Sequence, residues 1–183
     1  MAAETPICNF GEPAKPFALE GTDGRTHTLD TVRGRKGLVV VFICNHCPYV
    51  KAVLDRIIRD ARELKDHGVG TVAIMSNDTL AYPDDSFDNM KRLAAEKQLP
   101  FPYLIDPTQE VARAYGAVCT PDFFGYDKDL GLQYRGRLDA SKTTPIPGAI
   151  RELYEAMVQV AETGHGPEHQ VPSMGCSIKW RAA

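Results

Sequence analysis

The sequence predicts an α/β fold in which helices flank both faces of a central mixed β-sheet. Gly37–Ile43 is a continuous apolar run, and such runs are typical of strands buried on both faces of a sheet. A segment with apolar residues at helical spacing follows it, and a second apolar run comes at Val69–Met75. This alternation of buried strands and amphipathic helices is typical of α/β architectures.

The N-terminal region predicts an extended arm followed by a β-hairpin. Residues 1–16 form the arm, which is rich in Pro and Gly from Cys8 onward. Phe17–Glu20 and Thr26–Leu29 flank a short connection that contains an Asp-Gly pair. Because Asp-Gly readily adopts the backbone angles of tight hairpin turns, we expect these two segments to pair as strands.

Helices are predicted where apolar residues recur three and four positions apart. The longest begins near Val50 and ends at Gly68, and Ser86 is expected to cap a second helix that reaches about Lys97. A short helix is predicted over Asp106–Tyr115, and a last one over Ile150–Ala161.

Shorter extended segments complete the predicted sheet. Phe101–Ile105 is expected to be extended, and Phe123–Tyr126 and Leu132–Arg137 are predicted to pair as antiparallel strands. The C-terminal tail, residues 163–183, contains several Gly and Pro residues and is predicted to be irregular. The length of 183 residues indicates a single domain.

Composition argues against several functional classes. Lys and Arg number 21 and Asp and Glu 24, for a net charge of -3, so neither nucleic acid nor an anionic membrane is expected as a partner. No apolar run is long enough to span a bilayer, and the N-terminus shows no hydrophobic signal core. We expect a cytoplasmic protein, in which five cysteines indicate catalysis or metal binding rather than structural disulfides.

Two of these cysteines, Cys44 and Cys47, lie in Cys-x-x-Cys spacing between the first long strand and the first long helix. Pro48 suits the first turn of a helix, which places Cys47 at or next to the N-cap. Helix N-terminal amides favour a thiolate, the form that attacks disulfides and peroxides. The alternative interpretation is that both cysteines are small buried core residues.

The other candidate site residues have two interpretations each. His46 can protonate a leaving thiol or bind a metal, or it is an exposed loop residue. Cys119 is either a core residue or a redox partner. Cys176 is either a resolving cysteine or a lone thiol in a tail that packs through Trp180.

An acidic group precedes the predicted second helix. A divalent-ion site is one interpretation of these residues, and solvated charges at a helix N-terminus are the simpler one. Its members are Asp78, Asp84, Asp85 and Asp88.

Five segments together resemble the thioredoxin-like superfamily, in particular redoxins of the AhpC/TSA type and a bacterial subgroup labelled as probable thiol–disulfide isomerases. The resemblance extends over nearly the whole chain. The segments are Phe42–Lys51, Phe101–Asp106, Cys119–Phe124, Tyr134–Asp139 and Gly175–Trp180.

This resemblance implies a thioredoxin-like fold with an N-terminal hairpin, and it implies site residues. Pro121 is expected to be cis and to face the active thiol, with Thr120 binding the substrate or a sulfur. Cys47 corresponds to the nucleophilic cysteine, whereas Val50 stands where thioredoxins have their second one. Cys44 stands where peroxiredoxins have a peroxide-binding threonine.

The expected function is that of a thiol–disulfide oxidoreductase in which Cys47 attacks and Cys44 or Cys176 resolves. Alternatives are a thiol-dependent peroxidase and a metal-binding module that uses Cys44, Cys47 and His46. The expected partners are a protein or small-molecule disulfide or peroxide and a reductant such as a thioredoxin or glutathione system. No cofactor is expected, and a homodimer is left open.

Overall fold

The computed structural model describes residues 1–183. Strands and helices follow one another along the chain, with a short 3₁₀ turn at Pro83–Asp85. The strands and helices are β1 Ala2–Glu4, β2 Ala18–Glu20, β3 Thr26–Thr28, α1 Leu29–Val32, β4 Gly37–Phe42, α2 Pro48–Asp66, β5 Val69–Met75, α3 Phe87–Lys97, β6 Tyr103–Ile105, α4 Glu110–Tyr115, β7 Cys119–Thr120, β8 Asp122–Asp127, β9 Leu132–Tyr134, α5 Glu152–Thr163 and β10 Met174–Ser177.

The main sheet has five strands in the order β6-β5-β4-β8-β9. Its central strand, β4, pairs parallel with β5 and antiparallel with β8, so the predicted mixed sheet is confirmed. All six residues of β4 are buried, because helices cover both faces of the sheet. The predicted hairpin is confirmed as a separate two-stranded sheet of β2 and β3.

Side chains of β4 alternate between two apolar cores. Val39 and Val41 belong to the core formed with α2 and α5. Leu38, Val40 and Phe42 belong to the core on the opposite face, which includes residues of α4. The sheet therefore lies between two helical layers. After the carboxyl end of β4, a short loop leads to the first residue of α2.

Helix α2 forms where the apolar periodicity predicted it. Pro48 is its first residue, Cys47 is its N-cap, and Gly68, with φ of 80°, follows its C-cap His67. Its buried side chains lie on one face and are Val50, Val53, Leu54, Ile57, Ile58, Asp60, Ala61 and Leu64. None of the helices combines the length and the apolar character needed to span a lipid bilayer.

The tail contains one strand that the sequence did not predict. Within residues 163–183, β10 pairs antiparallel with both β1 and β7 and forms a three-stranded sheet. The prediction of a wholly irregular tail was therefore wrong. These short strands lack an apolar alternation of their own, and backbone hydrogen bonds from two distant segments hold β10 in place.

Element boundaries differ from the predictions by a few residues. The hairpin ends at Thr28, where Leu29 instead begins the short helix α1. Helix α5 begins at Glu152 rather than Ile150, and β9 ends at Tyr134 rather than Arg137. Such differences arise because end residues of helices and strands take their hydrogen bonds from caps and loops.

Candidate active site

The candidate nucleophile, Cys47, lies at the N-cap of α2 with none of its surface exposed. The proline after it costs no hydrogen bond, because the first amides of a helix have no intrahelical acceptor. This position turns the positive end of the helix dipole toward the sulfur. The predicted placement of Cys47 is thus seen in the structure.

The pKa of Cys47 is held well below its usual range, chiefly because the Cys44 thiol donates a hydrogen bond to it. Burial opposes this shift, while the Cys176 thiol, Thr120 and the Val50 amide lower the pKa further. Each of these groups stabilises negative charge on sulfur. Cys47 is therefore the thiolate of the cluster at neutral pH.

Cys44 lies just beyond the end of β4 and is buried. Its Sγ is 3.5 Å from the hydroxyl oxygen of Thr120. The pKa of Cys44 is raised because its proton is held in the hydrogen bond to Cys47, and burial and the nearby carboxylate of Asp85 raise it further. Cys44 is thus a protonated thiol in contact with the thiolate.

Cys176 reaches Cys47 from the opposite end of the chain. In the β10–β7 ladder it stands opposite Thr120, which places its thiol close enough to Cys47 for each sulfur to shift the pKa of the other. Burial and the Cys47 sulfur raise the pKa of Cys176 to about 11. Unlike Cys44 and Cys47, Cys176 is partly exposed.

Thr120 and Pro121 form the other wall of the site. The Thr120–Pro121 peptide bond is cis, as the resemblance implied. The Sγ of Cys47, in its thiol form, donates to the carbonyl oxygen of Thr120 at 3.3 Å. Thr120 therefore contacts both Cys44 and Cys47.

Cys119 is near this cluster but is not hydrogen bonded to it. Its buried Sγ donates to the carbonyl oxygen of Pro121 at 3.6 Å, and burial raises its pKa. This environment is that of a core thiol, the first of the two interpretations.

His46 is positioned by two contacts. Its ring stacks on Tyr82 with 5.9 Å between centroids and 4° between planes. Its Nδ1 lies 2.7 Å from Oδ2 of Asp85, although these atoms are not aligned for a hydrogen bond. His46 is thus ordered against an acid rather than free in a loop.

Asp85 was not singled out within the acidic group, whose simpler interpretation was solvated charge. It is fully buried, so that interpretation is wrong for this residue. It accepts hydrogen bonds from the Asn45 amide at 2.8 Å and from Asn77 Nδ2 at 3.0 Å. Nothing in the local sequence distinguishes it from Asp84, which is exposed, because burial depends on the folding of the 3₁₀ turn against the loop of Asn45.

Because Gly175 has no side chain, β10 packs closely against Thr120 of β7, and this brings Cys176 near Cys47. A Cβ atom at this position would lie 2.0 Å from the carbonyl oxygen of Thr120. We expect Gly175→Ala to push β10 away, lower stability by about 1–3 kcal/mol and slow formation of a Cys47–Cys176 disulfide. Disulfide mapping after mild oxidation checks this, and an unchanged yield of that disulfide would contradict it.

Residues 10–137 match the model of a protein family described as the AhpC/TSA family. Two similar solved structures cover this chain completely. An uncharacterized conserved protein from Geobacillus kaustophilus has 46% identity and a TM-score of 0.94, with 98% of its own chain covered. A hypothetical protein from Sinorhizobium meliloti 1021 has 35% identity and a TM-score of 0.92, with 100% covered.

A more distant structure shows the fold alone. It is that of a putative thiol:disulfide interchange protein DsbE from Chlorobium tepidum, with 19% identity and a TM-score of 0.61. The match covers 84% of this chain and 98% of the other. A comparison with curated proteins found no match.

Proposed function

Since the chain belongs to the AhpC/TSA family of thioredoxin-like redoxins, we propose that it is a thiol–disulfide oxidoreductase with Cys47 as the nucleophile. One observation carries the proposal. Cys47 lies at a helix N-cap with two further thiols, Cys44 and Cys176, close enough to lower its pKa. A thiolate in contact with two potential resolving thiols is suited to exchange of disulfide bonds.

The reaction proceeds in two exchanges. The Cys47 thiolate attacks one sulfur of a substrate disulfide, so that a mixed disulfide forms and the other substrate sulfur leaves as a thiolate that takes a proton from solvent. A second thiol of the protein then loses its proton and attacks the Cys47 sulfur. The remaining substrate thiolate leaves, and the protein keeps an internal disulfide that a thioredoxin or glutathione system reduces.

Both Cys44 and Cys176 remain candidates for the second step. The pKa of Cys44 is raised mainly by its hydrogen bond to the Cys47 sulfur. In the mixed disulfide the Cys47 sulfur has no negative charge, so this cause is removed. Burial and Asp85 then still oppose ionisation of Cys44. For Cys176, burial is the main cause of the raised pKa, and Lys179 counteracts it.

A cleft beside Pro121 offers a place for the substrate. It has a volume of about 220 Å³ and is lined by Tyr49, Phe123 and Met174 among others. Tyr49 belongs to the first turn of α2 and Met174 to β10. We propose that the substrate segment around the disulfide lies in this cleft. The reason is that Cys47 directly precedes α2 and Cys176 belongs to β10, and both elements border the cleft.

Reduction of insulin disulfides, combined with trapping, tests the proposed function. We expect Cys47→Ser to lose activity and the double variant with Cys44→Ser and Cys176→Ser to accumulate a mixed disulfide with insulin. Whichever single variant also accumulates it identifies the resolving residue. Cys119→Ser is the matched control and is expected to keep activity, and full activity in Cys47→Ser would refute the proposal.

A thiol-dependent peroxidase is the second candidate, favoured by the lowered pKa of Cys47. In that reaction peroxide oxidises Cys47 to sulfenic acid, which condenses with a second thiol and releases water. Cys44 stands where peroxiredoxins have a peroxide-binding threonine, so that hydroxyl is missing, and the Thr120 hydroxyl lies 3.5 Å from the Cys44 sulfur. Peroxide consumption no faster than that of a free thiol would exclude this candidate.

We also propose that the protein works in the cytoplasm, the reducing compartment expected from its composition. All five of its cysteines are free thiols. A thioredoxin or glutathione system would supply the electrons for each turnover.

A further inference from the structure

Three side chains with different ligand atoms converge on one side of the site. The Cys44 sulfur, a ring nitrogen of His46 and a carboxylate oxygen of Asp85 all lie within 4.8 Å of one another. Cys44 and Asp85 are buried and His46 is partly exposed. The group differs from the one expected from sequence, because Asp85 takes the place of Cys47.

Two features of this group have no explanation in disulfide exchange. Asp85 is fully buried, and the basic side chain beside it is His46 rather than any Lys or Arg, with 2.7 Å between Nδ1 and Oδ2. The Nδ1 atom of His46 is itself buried and has no hydrogen-bond partner. A buried ring nitrogen without a hydrogen bond costs free energy, and a cation bound by this nitrogen and by the Asp85 carboxylate would offset that cost.

We propose that Cys44, His46 and Asp85 form a zinc site, with a water molecule as the fourth ligand. Thiolate, imidazole and carboxylate are the three ligand types that Zn²⁺ takes in proteins, usually in tetrahedral geometry. The exposed part of His46 leaves room for the open position.

Neighbouring residues fix the orientation of the Asp85 carboxylate, as is typical of a carboxylate that binds a metal ion. Asn45 and Asn77 each donate a hydrogen bond to Asp85. Asn77 is in turn fixed by the Lys179 amide, which donates to its Oδ1 at 2.9 Å. Donors of this kind around a ligating carboxylate orient it toward the metal.

Zinc at this site changes the role of Cys44, and this consequence rests on the proposed function. Cys44 must lose its proton to bind Zn²⁺, so it no longer donates a hydrogen bond to Cys47. While bound it does not attack a mixed disulfide at Cys47, and resolution falls to Cys176. Only after Zn²⁺ has been released can the Cys44 thiolate attack, so that its sulfur joins that of Cys47 and the substrate thiolate leaves.

Zinc titration of the reduced protein in competition with a chromophoric chelator tests the site. We expect one zinc per chain in the wild type and at least about tenfold weaker binding in Cys44→Ser, His46→Ala and Asp85→Asn. Cys47→Ser and Cys176→Ser are the matched controls and are expected to bind as the wild type does. With Co²⁺ as the probe, Cys44→Ser should lack the thiolate-to-cobalt charge-transfer band, whereas Cys47→Ser and Cys176→Ser should keep it.

The controls separate this site from ordinary chelation by a pair of thiols. If Cys47→Ser abolishes binding while His46→Ala does not weaken it, two thiols hold the metal and the proposal is wrong. Absence of binding to the wild type also overturns it. His46→Ala keeps the test decisive if Asp85→Asn fails to fold, and the insulin assay, run without zinc, judges the proposed function separately.

Discussion

The thiolate absorbance of Cys47 is expected to persist well below pH 7. An ordinary thiol with a pKa of ~8.5 is only about 0.3% ionised at pH 6, whereas the pKa of Cys47 is lowered mainly by the hydrogen bond from Cys44. Cys47 should therefore remain ionised at pH 6, an increase of about 300-fold in thiolate fraction. The difference in ultraviolet absorbance between the wild type and Cys47→Ser, followed as the pH falls, measures this.

Variants at Cys44 test the cause of the shift. Cys44→Ala removes the donor, so the pKa of Cys47 should rise and its thiolate should protonate at a higher pH. Cys44→Ser keeps a hydroxyl donor in the same place and should restore part of the shift. Cys119→Ser should leave the acid part of the curve unchanged, because burial raises the pKa of that thiol. Equal curves for Cys44→Ala and the wild type would show that this hydrogen bond is not the cause.

Replacing Arg135 with Met is expected to lower the free energy of unfolding by about 3–5 kcal/mol. Arg135 donates from Nη2 and Nε to Asp122, at 3.0 and 3.3 Å, and both side chains are buried. Its guanidinium also lies 4.0 Å from the ring centroid of Phe124. Without Arg135, the buried carboxylate of Asp122 would lose its ion-pair partner. Because Asp122 directly follows Pro121, this loss would also disturb the wall of the site. Urea unfolding measures the loss.

Arg137→Met is the matched control for this prediction. Arg137 pairs with Glu152 at 2.9 Å, but 31% and 23% of the two side chains are exposed. Exposed ion pairs contribute about 0–1 kcal/mol, so this change should be nearly neutral. A loss below about 1 kcal/mol in Arg135→Met would contradict the proposed importance of the buried pair, since breaking such a pair costs far more.

The Cys-x-x-Cys pair of this chain is arranged differently from two cysteines in one helix turn. Cys47 is the N-cap, so Cys44 lies before the helix at the end of β4. The helix dipole therefore acts on the second cysteine of the pair rather than the first. Val50, within the first turn, is buried and carries no sulfur.

Much of the fold could be predicted from local patterns. The apolar run of β4, the periodicity of α2 and the Pro48 beside Cys47 are features of neighbouring residues, and the structure confirms all three. Strand β10 could not be predicted in this way, because its hydrogen bonds come from β1 and β7, more than fifty residues away along the chain.

The sequence by itself determined the α/β class, the position of Cys47 at or next to a helix N-cap and its Cys-x-x-Cys spacing from Cys44, since each depends on residues within a few positions of one another. Only the tertiary structure decided that Cys176 reaches Cys47 while Cys119 turns to Pro121, and that Asp85 is buried beside His46. The physical reason is that burial, hydrogen bonds between distant segments and the pKa shifts they cause arise from packing, which local sequence patterns do not contain.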